Sequence, residues 1–562
     1  MEKYQLRKSP PKKILKEYSE LERTLLFGRS IKNKDDAKRF LSVSYDRDIL
    51  DPFLMTGMER AVSRIIKAMK SGEKIAIFGD FDADGLCATV CWKDFFFRAG
   101  YENVTFYIPH RHEEGFGVSV EALSSLSDEG ATLVITVDCG IADSKVFDDS
   151  RELGLDIIVT DHHEPVNGLP KVLAVVDPKR KGCSYPNPNL CGAGVAFKVI
   201  QGVLSKDRFG IPEGHEKWLL DLVAVATISD SVPLVGENRA LARYGLLVLR
   251  KSQRVGIMKL CRKLYLPQPN LTEDDVGFMI APRLNAASRM GDIKDAFTLL
   301  STYDDAEAEE AVKGLERVNN ERKGVVASMV KEVKAKTLVL ENSEVIVTGN
   351  PNWRPSLLGL VANSLAEEYS KPVFLWGRDG SQTIKGSCRS YGGVDLLALM
   401  SSAEKNFKQF GGHRFAGGFS VDFKSVHTLR ESLNEAYSKT ENTSCEEITE
   451  VDFLLSLDDV DETFYKKIER FSPFGVENPK PVFRFSNLLI ERVKLFGKKS
   501  EHLELTFKKS SGREMKAIGF FKTQENFNKR IKEGERVDLV ATVEKSFFGG
   551  RVELRLRIVD TV

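Results

Sequence analysis

The strongest constraint on the fold lies between residues 74 and 163. There KIAIFGD, TLVITVDCG and LDIIVTDHH each run through an apolar stretch and then deliver carboxylates or imidazoles. Unbroken apolar runs of that length, without polar alternation, mark strands buried on both faces, as parallel strands are. Helix-patterned stretches at about 54–70, 86–98, 119–128 and 143–153 alternate with these runs and with further strands expected at 104–109 and 172–176. That rhythm predicts βαβ units and a parallel sheet with helices on both faces. In such sheets ligands bind outside the carboxyl ends of the strands.

The acids of GDFDADG (79–85), VDCG (137–140) and TDHHEP (160–165) fall at those ends, and ISDSVP (228–233) adds another from a later segment. Any one Asp here, taken alone, reads better as a turn or helix-cap residue than as a ligand. Six carboxylates (Asp80, Asp82, Asp84, Asp138, Asp161, Asp230) and two imidazoles (His162, His163) at one sheet edge would repel one another without a cation among them. Mixed oxygen and imidazole ligation suits Mn²⁺, with Mg²⁺ a workable substitute. Two such ions can activate a water and stabilise both the attacking and leaving oxygens of an in-line displacement, which points to phosphoester hydrolysis.

Residues 1–50, charged and weakly periodic, read as a lead-in packed on the next domain, and 51–240 as the acidic α/β domain. The pattern turns helical over 241–336, ending in one long charged helix over 304–336 with acids at its start. A polar helix of that length bridges two lobes. A second α/β unit is expected over 337–437, a Ser/Thr/Asn-rich linker over 438–450, and a small OB-like β-barrel over 451–562.

The net charge of +1 decides nothing by itself, because an acidic pocket and a basic surface can cancel. Locally, 491–532 holds twelve Lys or Arg against five Glu, with Phe496, Phe507, Phe520, Phe521 and Phe527 interleaved. Single strands are gripped by cationic grooves and aromatic stacking, although alternation alone would send most of these rings into the barrel core. Lys498, Lys499, Lys508, Lys509, Arg513 and Lys516 are the expected strand path. None of the eight cysteines forms a CxxC pair, which excludes zinc-ribbon and thioredoxin-type sites and favours a reducing, cytoplasmic setting. The N-terminus carries no signal-peptide pattern, and no apolar run approaches the roughly 18 residues of a membrane span.

TDHHEP carries the DHH signature, GDFDADG and VDCG match that family's first two motifs, and TISDSVPL its fourth. GGHRFAGG (411–418) resembles the glycine-rich motif of DHHA1 domains. With YIPHRHEEGFG (107–117), CGAGVAFK (191–198), APRLNAASRMG (281–291), KGSCRS (385–390) and FSPFGVENPKPVF (471–483), nearly the whole chain resembles the RecJ family of single-strand-specific 5′→3′ DNA exonucleases. The resemblance implies two catalytic metals, with Asp82, Asp84, Asp138, His162 and Asp230 as ligands. It also implies Asp80 and Asp161 as supporting carboxylates, and His163 as a contact or acid at the scissile phosphate. It suggests a pocket for the 5′-phosphate or terminal nucleotide lined by Arg111, Arg283, Ser387, Arg389, Gly412 and His413. It further implies roles in recombination and repair, beside a RecQ-type helicase and a single-stranded-DNA-binding protein. Two departures stand out: NAASR has Ser288 where the family has glycine, and WRPS (353–356) lacks the family's histidine and glycine. The rival readings are a nano-RNase or cyclic-dinucleotide phosphodiesterase, a family II pyrophosphatase, and a non-catalytic replication scaffold. The first two lack reason for the C-terminal barrel, and the third lacks reason for an intact acid set.

Overall fold

The structure is a computed structural model, and it describes residues 4–165, 168–336, 343–378, 383–391, 393–439, 449–497, 499–527, 531–548 and 551–562. Strand β1 (Tyr4–Leu6) opens the chain. Five parallel strands, β2 (Ile75–Gly79), β3 (Val104–Tyr107), β4 (Leu133–Val137), β5 (Asp156–Thr160) and β6 (Ala174–Val176), form the first sheet in the order β3-β2-β4-β5-β6. β2 and β4 are buried at every position, as their apolar runs required. Chain order turns back between β2 and β4, so the sheet's topological switch point lies between GDFDADG and VDCG. The helix Ala83–Arg98 starts inside the acidic loop because Asp82 caps it, accepting from the N–H groups of Asp84 and Gly85.

Behind this sheet the helices Gly192–Lys206, Leu220–Ser229 and Gly236–Leu249 share one core with Ala83–Arg98. Arg254 is clamped inside it between Asp94 (2.6 Å) and Asp221 (2.8 Å). The long helix runs from Asp305 to Lys334, capped by Asp304. It leads to a mixed sheet of β7 (Ile346–Gly349), β8 (Val373–Gly377), β9 (Ile384–Arg389), β10 (Gln409–His413) and β11 (Ala416–Val421), in the order β10-β11-β9-β8-β7.

The C-terminal region adds β12 (Thr449–Val451), β13 (Phe453–Leu454), β14 (Phe483–Leu489), β15 (Arg492–Phe496), β16 (His502–Lys508), β17 (Glu514–Gly519), β18 (Arg536–Phe548) and β19 (Arg551–Thr561). The last seven of these form one sheet in the order β13-β14-β18-β19-β17-β16-β15.

Two expectations are corrected. Most of the lead-in does not pack on the domain that follows it. Its Leu15, Leu21, Leu25, Leu26, Ala37 and Leu41 fill the C-terminal core beside Phe464, Phe471, Phe483 and Leu505, while Tyr45, Ile49 and Leu50 pack on the acidic domain. The physical reason is that a small sheet domain has too little apolar surface of its own, and two amphipathic helices complete it. Of the expected linker, 440–448 lies outside the described residues. Thr449–Val451 is a strand paired in parallel with β1, which ties the N-terminal strand to the start of the C-terminal region. Arg239, 2% exposed, bolts this N- and C-terminal body to the acidic domain. It donates to the carbonyls of Phe40 (2.6 Å), Arg470 (2.9 Å) and Ser472 (2.9 Å).

Candidate metal centre and strand cleft

At the switch point the ligand atoms of three sets of side chains lie within 4.8 Å of one another: Asp80, Asp82 and Asp138; Asp84, His162 and Asp230; and Asp138, His162 and His163. Asp138 belongs to two sets and sits between the others, the place of a carboxylate shared by two cations. Its backbone is left-handed (φ +65°), a conformation costing about 1–2 kcal/mol for a non-glycine residue. The turn is held by the Asp138 N–H on Thr160 O (3.0 Å) and by Thr136 Oγ1 on Cys139 O (2.8 Å).

Asp84 receives the N–H groups of Gly192 and Ala193, both at 2.7 Å, at the N-terminus of the helix Gly192–Lys206. That partial positive charge offsets one carboxylate only. Burial and then the Asp82 charge push Asp80 up to about 8, and burial followed by neighbouring carboxylates pushes Asp84 and Asp138 well above the usual range. Desolvation and Asp82 raise Asp230 to about 7. His162 is driven down to about 3 by burial and by His163, so its imidazole is neutral, as a ligand must be. Asp80 Oδ1 is shielded from water and meets no hydrogen-bond donor. Crowded carboxylates with an orphaned oxygen, beside a neutral imidazole 3.0 Å from Asp138 Oδ1, fit divalent cations in donor type and charge.

Asp161 belongs to none of the three sets. It accepts from the N–H groups of Ile141 (2.9 Å), His162 (2.7 Å) and His163 (3.1 Å), and pairs with His163 Nδ1 at 2.8 Å. Burial lowers His163, but the hydrogen bond and charge of Asp161 outweigh it and raise the imidazole to about 9. Asp80, expected as a supporting group, instead stands among the potential ligands of one cation.

Facing the acids is a set of arginines. Arg111 lies 4.8 Å over the Phe81 ring, and burial lowers it against the pull of Asp80 and Asp82. Arg389 follows Ser387 by two positions on β9, so both point to one face. The ladder register aligns Arg389 with Ala416 and Ala416 with His413, placing His413 in the same row two strands away. Gly412 (φ +134°) has the Ala416 carbonyl 2.4 Å from where a Cβ would stand, so only glycine fits there.

Arg283 is a correction. It is buried, ion-paired with Glu316 of the long helix, and donates to Met279 O at 2.6 Å, so it holds helices together. Arg289, six residues on in the same helix, was not singled out from the sequence and faces the cleft. Burial and then Arg111 lower it to about 10, with Asp82 opposing. Arg289 also explains one departure from the family pattern: its guanidinium donates to Ser356 O (2.7 Å) while Ser356 Oγ donates to Arg289 O (2.8 Å). Asn285 of the same motif accepts from the Ala83 N–H at 2.8 Å, joining that helix to the acidic loop. Phe116, 57% exposed and edge-on to His163 at 5.7 Å, is a second residue the sequence reading passed over, although GFG within a matched motif was the available signal.

Along the expected strand path Lys498 lies outside the described residues. Lys509 spends its ammonium on Val460 O (2.6 Å), and Lys508 and Lys516 face Glu491 (3.2 Å) and Glu553 (3.8 Å). Lys499 and Arg513 are exposed. Phe507 and Phe527 are buried in the core, but Phe496, His502, Phe520 and Phe521 form an outward cluster, with Phe521 79% exposed and Arg557 4.0 Å over Phe520.

Family models match the chain in three stretches: the N-terminal domain of the DHH family at 74–227, the DHHA1 domain at 342–439 and the RecJ OB domain at 451–560. A single-stranded-DNA-specific exonuclease RecJ of Bacillus subtilis is 36% identical over 96% of this chain and 67% of its own length. That of Haemophilus influenzae is 30% identical over 95% of this chain and 94% of its own. The crystal structure of RecJ with Mn²⁺ from Thermus thermophilus superposes with a TM-score of 0.80 at 27% identity, covering 100% of this chain and 79% of the other. Among the described residues no helix is long and apolar enough to cross a membrane. With three domain models in series and a relative 30% identical over 94% of its own length, the chain belongs to the RecJ family.

Proposed function

We propose that this chain is a metal-dependent exonuclease that removes nucleoside 5′-monophosphates from the 5′ end of single-stranded DNA, in recombination and repair. The observation that carries the reading is the acid–imidazole cluster at the switch point, set opposite arginines that, among the described residues, have no carboxylate of their own. Asp80, Asp82, Asp84, Asp138, His162 and Asp230 would hold two divalent ions, Mn²⁺ by preference or Mg²⁺, which supply an activated water and charge neutralisation when bound. Arg111 and Arg389, with Ser387 and the hairpin of Gly412 and His413, grip the terminal phosphate; the guanidinium fork suits that geometry. Arg289 steadies the phosphate on the side of Asp82. His163, kept protonated by Asp161, holds a proton on Nε2 for the scissile phosphate or the leaving oxygen. Phe116 offers a face for the terminal base, and the cluster around Phe521 a stacking platform for the downstream strand. A RecQ-type helicase would open duplex for it, and a single-stranded-DNA-binding protein would coat the product strand. Free thiols at the seven described cysteines suit a reducing compartment such as the cytoplasm.

The test is a single-stranded oligomer labelled at one end and then the other, incubated with Mn²⁺ or with EDTA, and with Asp138→Ala as the control. Metal-dependent release of mononucleotides from the 5′ end alone, absent in the variant and weak on blunt duplex, is the expected result. Cleavage of dinucleotides with long strands left intact would move the reading to a nano-RNase. Tight strand binding with no cleavage under any metal would make the chain a scaffold.

A further inference from the structure

The long helix Asp305–Lys334 carries polar side chains on the face that packs against the helix Ala281–Met290. Leu315, Asn319 and Arg322 follow one another at i, i+4 and i+7, so they share a stripe. Leu315 is wholly buried and anchors it. Asn319 is 1% exposed, yet neither its Oδ1 nor its Nδ2 has a hydrogen-bond partner, and Arg322 Nε is likewise shielded from water without one. Buried amides and guanidiniums are satisfied almost everywhere in folded proteins, so three orphaned atoms within one helical turn ask for a missing partner. The neighbourhood supplies no negative charge to spare, since Glu316 is already engaged by Arg283. Among the described residues Arg322 pairs with no carboxylate, and burial and the like charge of Arg283 both disfavour its cation. Arg289 feels the Arg322 charge as well, so the two guanidiniums lie near each other.

We propose that Asn319 and Arg322 form a strand-binding site on the long helix, in which Arg322 takes a backbone phosphodiester of the DNA lying between the lobes and Asn319 is the positioning residue beneath it. The inference rests on the reading of the cleft as a path for single-stranded DNA. A phosphodiester is the partner these groups select, because it is a dispersed anion that a guanidinium fork binds through two parallel hydrogen bonds. The site is separate from recognition of the terminal phosphate by Arg111 and Arg389, so its contribution is the same for strands with a 5′-phosphate or a 5′-hydroxyl.

The experiment uses the full chain as wild type, Arg322→Gln, Arg322→Lys and Asn319→Leu. Strand affinity is read by fluorescence anisotropy across a salt series in Ca²⁺, and steady-state degradation is measured in Mn²⁺. Arg322→Gln is expected to raise KM about tenfold with kcat retained. It should also lower the slope of log affinity against log salt by about 0.7, the loss of one phosphate contact on a single strand. Arg322→Lys keeps the slope. Asn319→Leu removes the orphaned amide, so its melting temperature is no lower than wild type while its KM rises, a combination that a purely structural asparagine would not give. Wild-type KM and salt slope in Arg322→Gln, or wild-type KM in Asn319→Leu, would overturn the proposal. Failure of the wild-type chain itself to bind or degrade single strands would instead overturn the reading on which it rests.

Discussion

Gly192 is the most exposed weakness of the metal centre, and adding one methyl group there should disable it. A Cβ built at Gly192 stands 2.5 Å from both Cβ and Oδ1 of Asp138 and 2.6 Å from its Cγ. Ordinary carbon contacts begin near 3.5 Å, so something must move by about 1 Å. The helix is fixed from behind by the buried side chains of Val195, Ala196 and Val199, and Asp138 sits in a strained turn, so the carboxylate is the part that yields. Displacing a carboxylate that would be shared by two cations by about 1 Å is worth roughly 10²-fold in rate. The global cost is smaller, about 1–3 kcal/mol for overpacking. Gly194→Ala in the same helical turn is the control. Its Cβ would meet Leu190 at 3.4 Å and Cys191 Sγ at 3.5 Å, ordinary contacts, and Ala favours helix by about 0.5–1 kcal/mol. Mn²⁺ titration calorimetry, 5′-end exonuclease kinetics and thermal melts on the two variants decide the matter. Gly192→Ala should lose metal affinity and about 10²-fold in kcat/KM while still folding cooperatively. If it binds Mn²⁺ and degrades DNA like Gly194→Ala, the shared-carboxylate geometry argued for Asp138 is wrong.

Three further outcomes follow from the same geometry. Asp80 and Asp230 titrate higher in the folded metal-free protein, at about 8 and about 7, than an unfolded carboxyl does. The native state therefore holds extra protons above the ordinary carboxylate range, and stability falls as pH rises through that window. The EDTA-treated protein should melt lower at pH 8.5 than at pH 6, and Mn²⁺ should abolish the difference with release of protons measurable by calorimetry in buffers of different ionisation enthalpy. Asp161→Asn removes the charge that three N–H groups and His163 Nδ1 share; it should cost about 2–3 kcal/mol in denaturant unfolding and bring the His163 titration, followed by NMR, down from about 9. Phe521→Ala should leave the melting temperature almost unchanged, since the ring is 79% exposed, yet weaken binding of a long single strand by about 1–3 kcal/mol in an anisotropy titration, and not that of a dinucleotide.

The catalytic sheet was legible because buried parallel strands and strand-end loops are local signals. KIAIFGD and GDFDADG marked β2 and three of the acids within a dozen residues, while the structure starts the next helix at Ala83, three residues earlier than the expected 86, with Asp82 as its cap. The pairing of Asp161 with His163 was less accessible, since two adjacent imidazoles look equivalent in sequence. Only the fold turns His162 onto Asp138 and His163 onto Asp161.

Arg283 and Arg289 share one motif and one helix. What separates them is Glu316, 33 positions away on the long helix, which takes Arg283 out of the cleft and leaves Arg289 in it. The Phe residues of the basic C-terminal stretch divide in the same way. Alternation correctly buried Phe507, but the turn after β17, where Phe521 has φ +53°, throws Phe520 and Phe521 to the surface.

The sequence by itself determined the α/β class, the sheet edge that carries the chemistry and the family, because each is encoded over short spans by strand periodicity, capping and motif spacing. The tertiary structure alone decided which arginines, among the described residues, stay without a carboxylate and that the N-terminal helices complete the C-terminal core. Those outcomes depend on partners hundreds of residues apart, such as Arg239 with Ser472 or Tyr4 with Thr449, brought together only when the apolar faces are buried.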